Sequence, residues 1–436
     1  MRVGQIAIDV TPLREGKDFR LLFTGRMVSF AGNAIATTAA NWQVFGLTHS
    51  SLAVGLLTLA NSAGMFAGLL AGGVLADRHD RRSVMLASRV PLIALGALLV
   101  LNSVVSHPQL WAVYALILAM GALSGLGSPA STAAVPALVG EDQIPAAAAL
   151  NAMGGQLGNL GGPALAGALI AGPGLATCYG IDTACLAVFG LTLWFIRPLP
   201  PVAGAVARAG FRSMGKGLRY VASNRVVGGM LAVDTSAMIF GMPAALFPAI
   251  AREHFHGGSA TFGLLAAAPG FGALIGAATS GWTGRLRRPG VVVIIAGLVW
   301  GAAIVGFGLS YSLAAGLIFL ALAGMADLIS EVLRNTLLQL YTPDGLRGRV
   351  TSLYLAQVTT APSLGNVEAG VVAQLVSTTF SVVSGGLVCV AGALLLGVLN
   401  PALRRASLAG PSGEQEPPRA ALPPAPASAE GSSTGP

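Results

Sequence analysis

Long runs of apolar residues, separated by short polar breaks, extend through most of the chain. Of its 436 residues, 54% are hydrophobic and only 10% are charged, whereas a soluble domain carries about 25% charged residues. A helix that crosses a bilayer needs about 20 apolar residues, and the runs lack the alternation of a membrane β-barrel. The predicted spans are 21–48, 53–76, 83–105, 110–132, 146–172, 175–196, 226–250, 259–282, 290–310, 313–338, 351–376 and 380–400. The sequence therefore predicts an all-α membrane protein with twelve transmembrane helices.

The basic residues are distributed unevenly among the breaks. If both termini are cytoplasmic, the outer loops hold only Arg252. The cytoplasmic segments then hold Arg2, Arg14, Lys17, Arg20, Arg78, Arg81, Arg82, Arg197, Arg208, Arg212, Lys216, Arg219, Arg225, Arg285, Arg287, Arg288, Arg347 and Arg349. Lys and Arg in short loops mark the cytoplasmic side, so we predict cytoplasmic termini. The net charge of +8 then serves orientation and contact with anionic lipid headgroups, and no nucleic-acid partner is expected.

The chain divides into two similar halves around one long polar break. The loop motif at 73–82 recurs weakly at 281–288, and the starts of the first and seventh spans have a similar offset. Such a period indicates two parallel repeats around a central pathway. The predicted organisation is a cytoplasmic N-terminus (1–20), a six-helix bundle (21–196), a cytoplasmic central loop (197–225), a second six-helix bundle (226–400) and a disordered cytoplasmic tail (401–436).

Groups that would support catalysis, metal binding or ATP hydrolysis are sparse. The three cysteines lie in apolar runs, and their spacing fits no metal or disulfide framework. Residues 210–217 resemble a phosphate-binding loop, but Gly217 replaces the required Ser or Thr and no strand precedes it. His254 and His256 are too few for a metal site. We expect no enzyme activity, no metal, no cofactor and no use of ATP.

The break between the second and third spans carries a compact basic motif. It reads Gly-Val-Leu-Ala-Asp-Arg-His-Asp-Arg-Arg over 73–82 and resembles the loop pattern Gly-x-x-x-Asp-Arg-x-Gly-Arg-Arg of the major facilitator superfamily, with Asp80 at the second Gly. Asp77 can accept hydrogen bonds from a helix N-terminus or pair with an arginine, and such a contact can break and re-form. The predicted conformational latch comprises Gly73, Asp77, Arg78, Arg81 and Arg82. The alternative is a plain basic loop.

The fifth span carries a run of small residues interrupted by a proline. This run is similar to the antiporter motif of the same superfamily, Gly-x-x-x-Gly-Pro-x-x-Gly-Gly, which accompanies export rather than uptake. The matching residues are Gly158, Gly162, Pro163 and Gly167, with Ala166 at one of the glycines. Glycines allow close backbone approach and proline bends the helix, which suits two bundles that rock. Plain small-residue packing is the alternative.

Acidic residues inside the spans are costly and therefore informative. The proton-coupling candidates are Asp234, Asp327, Glu331 and Glu368. Asp234 and Asp327 lie deepest and are expected to be unpaired, because an unpaired carboxylate in the membrane interior can take up and release a proton. Glu331 precedes Arg334 by three residues and is expected to pair with it. Asp182 and Glu368 are expected near the outer interface, where headgroups solvate them.

A few polar side chains in the spans could line a substrate cavity. The candidates are Arg26, Asn33, Gln156 and Gln357. Arg26 can face the cavity as a cation for an acidic substrate, or extend to the cytoplasmic interface. The three amides can instead make hydrogen bonds between helices.

Further stretches resemble the enterobactin-exporter subfamily of bacterial inner membranes, from about residue 19 to 400. They are Phe19-Arg20, Thr48-His49-Ser50, Met65-Phe66, Gly72–Arg78, Pro136–Gly140, Val227-Gly228-Gly229, Thr342-Pro343 and Gly348-Arg349. The resemblance implies proton-driven export of a catecholate siderophore across the bacterial inner membrane. The first alternative is a multidrug or macrolide efflux pump of the same fold. A non-transporting membrane receptor is a distant second, since the chain has only short loops and a tail outside the spans.

Overall fold

The computed structural model describes residues 10–200 and 211–410, and the side chains of all of these except 141 and 211–214. The predictions for the first nine residues, for 201–210 of the central loop and for the tail beyond 410 therefore lie outside the described residues. Within the described part the chain is almost entirely helical, and twelve long helices follow one another. The twelve predicted spans are confirmed.

The structure extends most spans beyond their predicted ends. Spans 1 to 6 are Lys17–Thr48, Ser51–Arg78, Arg81–Val104, Leu110–Leu138, Ile144–Ala171 and Leu175–Trp194. Spans 7 to 12 are Arg225–His254, Ser259–Arg285, Pro289–Gly308, Leu313–Tyr341, Asp344–Leu375 and Thr378–Leu399. Among the described helices, nine are long and apolar enough to cross a membrane by composition alone. Spans 1, 5 and 11 are also long but less apolar, because spans 1 and 11 carry more polar residues and span 5 is rich in glycine.

Span 7 is not a continuous α-helix. Its first part, Arg225–Phe240, ends before a break at 241–243, and short 3₁₀ and α turns then lead into a π-helical turn at Ile250–His254. The Oδ1 atom of Asn366 in span 11 accepts a hydrogen bond from the backbone N–H of Ala245 at 2.9 Å. An amide side chain of one span thus satisfies backbone that the break in another leaves free.

Four short helices lie outside the spans. They are Thr11–Glu15, Glu141–Gln143, Phe211–Ser223 and Pro401–Arg405. The predicted disorder from residue 401 is wrong for this last helix, because Leu403 is buried against the second bundle. The central loop likewise contains Phe211–Ser223, which was not predicted.

Side-chain caps explain why several spans begin directly after a very short loop. Ser50, Asp80, Ser312 and Ser377 precede spans 2, 3, 10 and 12, and each side chain accepts a hydrogen bond from a backbone N–H of the first helical turn. Such a cap stabilises a helix by about 0.5–2 kcal/mol. The turns can therefore be tight without leaving the first donors unpaired.

The two six-helix bundles repeat the same packing. In the first bundle span 2 packs on span 4, span 3 on spans 4 and 6, and span 1 on span 5; in the second, span 8 packs on span 10, span 9 on spans 10 and 12, and span 7 on span 11. Glycines allow the closest approaches. A Cβ atom at Gly68 would lie 1.9 Å from the carbonyl oxygen of Ala122, and one at Gly272 would lie 1.7 Å from that of Ala321.

The bundles meet along spans 2 and 11 and along spans 5 and 8. We call the membrane side with the loops at 79–80 and 286–288 the basic face, and the opposite side the far face. A Cβ atom at Gly55 would lie 2.5 Å from the carbonyl oxygen of Asn366, and one at Gly167 would lie 2.8 Å from the Cα atom of Gly263. All four residues lie in the half of their span toward the far face, so the two bundles are closely packed there.

Candidate functional site

A buried ion pair joins spans 7 and 10 in the second bundle. The Arg334 Nη1 atom lies 2.9 Å from Asp234 Oδ1, and these side chains are only 4% and 1% exposed. The Nη2 atom of Arg334 lies 3.3 Å from Asp327 Oδ1, and the Asp327 side chain is 38% exposed. One guanidinium therefore bridges a buried and an accessible carboxylate.

Polar neighbours hold this cluster in place. Gln357 of span 11 donates to Asp234 Oδ2 at 2.9 Å, and Arg334 donates to the hydroxyl of Ser330 at 2.8 Å. The prediction that Asp234 and Asp327 are unpaired is wrong, because spans 7 and 10 bring Arg334 between them. Gln357, predicted as a cavity residue, makes instead the inter-helix hydrogen bond that was its alternative role.

The other acidic candidates are not part of this ion-pair cluster. The predicted pair of Glu331 with Arg334 is wrong: Arg334 turns toward Asp234 and Asp327, and in the described part of the chain Glu331 has no ion pair within 4.0 Å. Glu368 is half-buried. Asp182, expected at the headgroup interface, is only 2% exposed, and it packs against Gly32 of span 1.

A polar cavity of about 340 Å³ lies within the first bundle, among spans 1, 2, 3, 4 and 6. Arg26 and Asn33 line it, as predicted, and the Arg26 guanidinium lies 5.2 Å from the centre of the Phe30 ring. Gln156 is half-buried and is not among the lining residues. The structure therefore brings two of the four predicted cavity residues into one cavity.

Two charged residues of this cavity were missed or misplaced by sequence reasoning. Arg89 of span 3 was not singled out, although an arginine inside an apolar span is as unusual as an aspartate. Its guanidinium lies 4.5 Å from the centre of the Phe189 ring. Arg89 and Asp182 both line the cavity with Arg26. The same burial rule that identified Asp234 could have found Arg89.

The loop motif divides into an anchored part and a free part. Asp80 caps span 3 and also accepts a hydrogen bond from the backbone N–H of Leu199 at 2.5 Å. Arg81 donates to the carbonyl oxygen of Ala133, and Arg82 to those of Leu193 and Trp194.

Asp77 and Arg78 are exposed, and in the described part of the chain Asp77 has no ion pair within 4.0 Å. Apart from its chain neighbours and the backbone of its own helix, no heavy atom in the described ranges lies within 4 Å of a Cβ built at Gly73. In this conformation the loop is fixed by its arginines and Asp80, and the latch through Asp77 stays a prediction.

The small residues of span 5 face two neighbours. A Cβ atom at Gly162 would lie 2.3 Å from the Cβ of Ala34 in span 1, and Gly158 packs against Phe30 at an ordinary distance of 3.6 Å. Gly167 and Pro163 instead contact Gly263 of span 8 in the other bundle. The motif therefore packs within its own bundle toward the basic face and across the bundles toward the far face. Its role in export stays a prediction.

Two pseudo-equivalent six-helix bundles with a buried ionisable cluster and a polar cavity define a transporter of the major facilitator superfamily. The description "transmembrane secretion effector" belongs to the family model that matches residues 7–421. The chain belongs to this family.

Curated relatives and solved structures agree with this assignment. The chain is 33% identical to the enterobactin exporter EntS of Citrobacter koseri over 91% of this chain and 95% of that one. It is also 33% identical to EntS of Shigella boydii, over 90% and 93%. A crystal structure of a POT family transporter with a thioalcohol-conjugated peptide aligns at 14% identity with TM-score 0.71, covering 88% of this chain and 96% of that one. A bacterial homologue of the iron transporter ferroportin, in an inward-facing state, aligns at 16% identity with TM-score 0.67, covering 89% and 99%. These two structures show the fold.

Proposed function

We propose that this protein is a secondary active exporter that moves an acidic siderophore of the enterobactin type out of the cytoplasm in exchange for protons. The observation that carries the proposal is the pairing of an arginine-lined cavity in the first bundle with an ionisable cluster in the second. Both lie inside the membrane, where unneeded charges are costly. The substrate class draws support from the printed names of the relatives. A neutral or cationic drug would gain less from Arg26 and Arg89.

The second-bundle cluster can take up one proton without losing its ion pair. Asp234 and Asp327 carry two negative charges against the single positive charge of Arg334. Asp327 is the more accessible of the two and is the more distant from the guanidinium. Protonation of Asp327 leaves the shorter pair of Arg334 with Asp234 intact. Asp327 is therefore the proposed proton carrier, and Asp234 its buried counterpart.

Replacing Asp327 by asparagine should remove proton coupling while leaving substrate binding. Asparagine keeps the size and much of the hydrogen bonding of the side chain but cannot titrate. In proteoliposomes with an imposed pH gradient, we expect Asp327→Asn to bind enterobactin and to lose its gradient-driven accumulation by at least about tenfold, roughly the effect of one strong charged interaction. Asp344→Asn, which removes an exposed acid paired with Arg347, is the matched control. If Asp327→Asn accumulates substrate at the parent's level, Asp327 is not the proton carrier, and Glu331 and Glu368 are the next candidates.

We also propose that the protein lies in the bacterial inner membrane with the basic face toward the cytoplasm, since basic loops are retained there. Single cysteines are introduced after the three native cysteines are replaced by alanine. His107→Cys and Tyr311→Cys, both at exposed far-face loops, should react with an impermeant maleimide in intact cells. Arg287→Cys, exposed at the basic face, should react only after the cells are permeabilised. Reaction of Arg287→Cys in intact cells would contradict this orientation, because it would place the basic face outside the cytoplasm.

A further inference from the structure

The cavity of the first bundle contains two buried charges whose hydrogen-bonding capacity is partly unused. Asp182 is 2% and Arg89 is 9% exposed, and both line the cavity. In the described part of the chain, the Asp182 Oδ1 and Arg89 Nε atoms have no hydrogen-bond partner, and neither residue has an ion pair within 4.0 Å. A buried charge without a partner is strongly destabilising. A bound ligand that pairs with these two side chains therefore explains their burial better than a role in the fold alone.

Each of the two charged side chains packs against a different neighbour at the cavity. Phe189 lies against the Arg89 guanidinium at 4.5 Å from its ring centre. Asp182 packs so closely on span 1 that a Cβ atom at Gly32 would lie 2.9 Å from its Oδ1 atom. In the described part of the chain the two side chains form no ion pair within 4.0 Å. The site is built by the fold and is not a chance grouping on one helix.

The charges of the lining specify an anion that also carries a hydrogen-bond donor. Arg26 and Arg89 contribute two positive charges and Asp182 one negative charge, so the described lining has a net charge of +1. A monoanion neutralises it. The Asp182 carboxylate can only accept hydrogen bonds when ionised, so it requires a donor such as a hydroxyl group. Phe30 and Phe189 add two aromatic side chains, which favour a ring.

We infer that this cavity binds an acidic hydroxy-aromatic group, with its anionic oxygen on Arg89 and Arg26 and its hydroxyl on Asp182. The volume of about 340 Å³ lies at the lower end of the range of small-molecule sites, so it fits one such ring and not a large multi-ring molecule. A larger substrate would place one ring here and the rest between the bundles. The inference deepens the proposed function, on which it rests for the idea that the ligand is the transported molecule.

Three small probes separate the two interactions. Meta-hydroxybenzoate has both the charge and the hydroxyl, benzoate lacks the hydroxyl, and meta-hydroxybenzamide lacks the charge. Binding of each to the purified full-length protein in detergent is measured by isothermal titration calorimetry. We expect meta-hydroxybenzoate to bind about tenfold or more tightly than either analogue, the effect of one charge-assisted hydrogen bond. Equal binding of all three probes would overturn the inference.

Variants assign the interactions to residues. Asp182→Asn should reduce the preference for meta-hydroxybenzoate over benzoate, because a neutral amide oxygen is a weaker acceptor than a carboxylate. It should also strengthen benzoate binding, since it removes a negative charge. Arg89→Gln should reduce the preference over the benzamide, because only Arg26 then faces the anion, whereas Arg89→Lys should retain it. Arg197→Gln, at an exposed arginine paired with Asp18, should change none of the three affinities. Asp182→Asn is isosteric and carries the test if Arg89→Gln does not fold; an unchanged preference in Asp182→Asn would overturn the inference.

The binding experiment can fail or succeed independently of the transport experiment. Probe binding without enterobactin transport in proteoliposomes would contradict the proposed function and leave the binding site standing. Enterobactin transport without preferential binding of meta-hydroxybenzoate would support the exporter and contradict this site.

Discussion

Replacing Arg334 by glutamine should destabilise the protein by about 3–5 kcal/mol, the effect of breaking a buried ion pair by removing one partner, and should abolish transport. The variant leaves the carboxylate of Asp234, 1% exposed, without its counter-ion in the membrane interior. It also frees Asp327 from the guanidinium that it shares with Asp234. The measurement is thermal unfolding of the purified protein in detergent, together with transport in proteoliposomes.

A second substitution tests whether charge is the cause. Asp234→Asn in the Arg334→Gln background removes the orphaned carboxylate, so it should recover much of the lost stability without restoring transport. The control is Arg347→Gln, which breaks an exposed pair with Asp344 and should change stability by less than about 1 kcal/mol. A loss in Arg334→Gln no larger than that of Arg347→Gln would mean that the buried pair does not stabilise the fold.

The sequence was sufficient for the architecture because hydrophobic length is a local property. Each span could be located from its own residues, and the weak internal repeat then gave two bundles. The break in span 7 was not predicted. Gly241 and Pro243 lie in the break, but Asn366, whose side chain accepts a hydrogen bond from the backbone N–H of Ala245, lies 121 residues away. No local sequence pattern indicates such a contact.

The sequence identified several residues of the candidate site, but it did not show which of them pair with each other. Asp234 and Asp327 stand out as acids in apolar runs, but their partner Arg334 is 100 positions from Asp234 along the chain and was assigned to its nearer neighbour Glu331. Asp182 was placed by its distance from the span end, which ignores the helices that cover it. In both cases packing between distant segments decided the environment. In the loop motif only the cap of span 3 by Asp80 is local, whereas Arg81 and Arg82 donate to carbonyl oxygens of distant residues.

A methyl group at Gly167 should favour the conformation that is open at the far face. A Cβ atom there would lie 2.7 Å from the carbonyl oxygen of Ser259 and 2.8 Å from the Cα atom of Gly263, so Gly167→Ala forces spans 5 and 8 apart. Overpacking of this kind costs about 1–3 kcal/mol, and only the conformation with these spans in contact bears that cost. The ratio of the two conformations should therefore shift by about five- to 150-fold, at 1.4 kcal/mol per factor of ten.

The same motif supplies the matched control: apart from its chain neighbours and the backbone of its own helix, no heavy atom of the described residues lies within 4 Å of a Cβ built at Gly161. Gly161→Ala adds the same methyl group to the same helix, and alanine is the better helix former by about 1 kcal/mol, so any general effect on span 5 appears in both variants. Spin labels at His107→Cys and Tyr311→Cys report the far face, since these exposed loops belong to different bundles. The distance distribution between the labels should move to longer separations in Gly167→Ala and stay at the parent's values in Gly161→Ala. Identical distributions in the two variants would show that the contact of Gly167 with Gly263 does not control closure, and a shift in both would assign the effect to the helix itself.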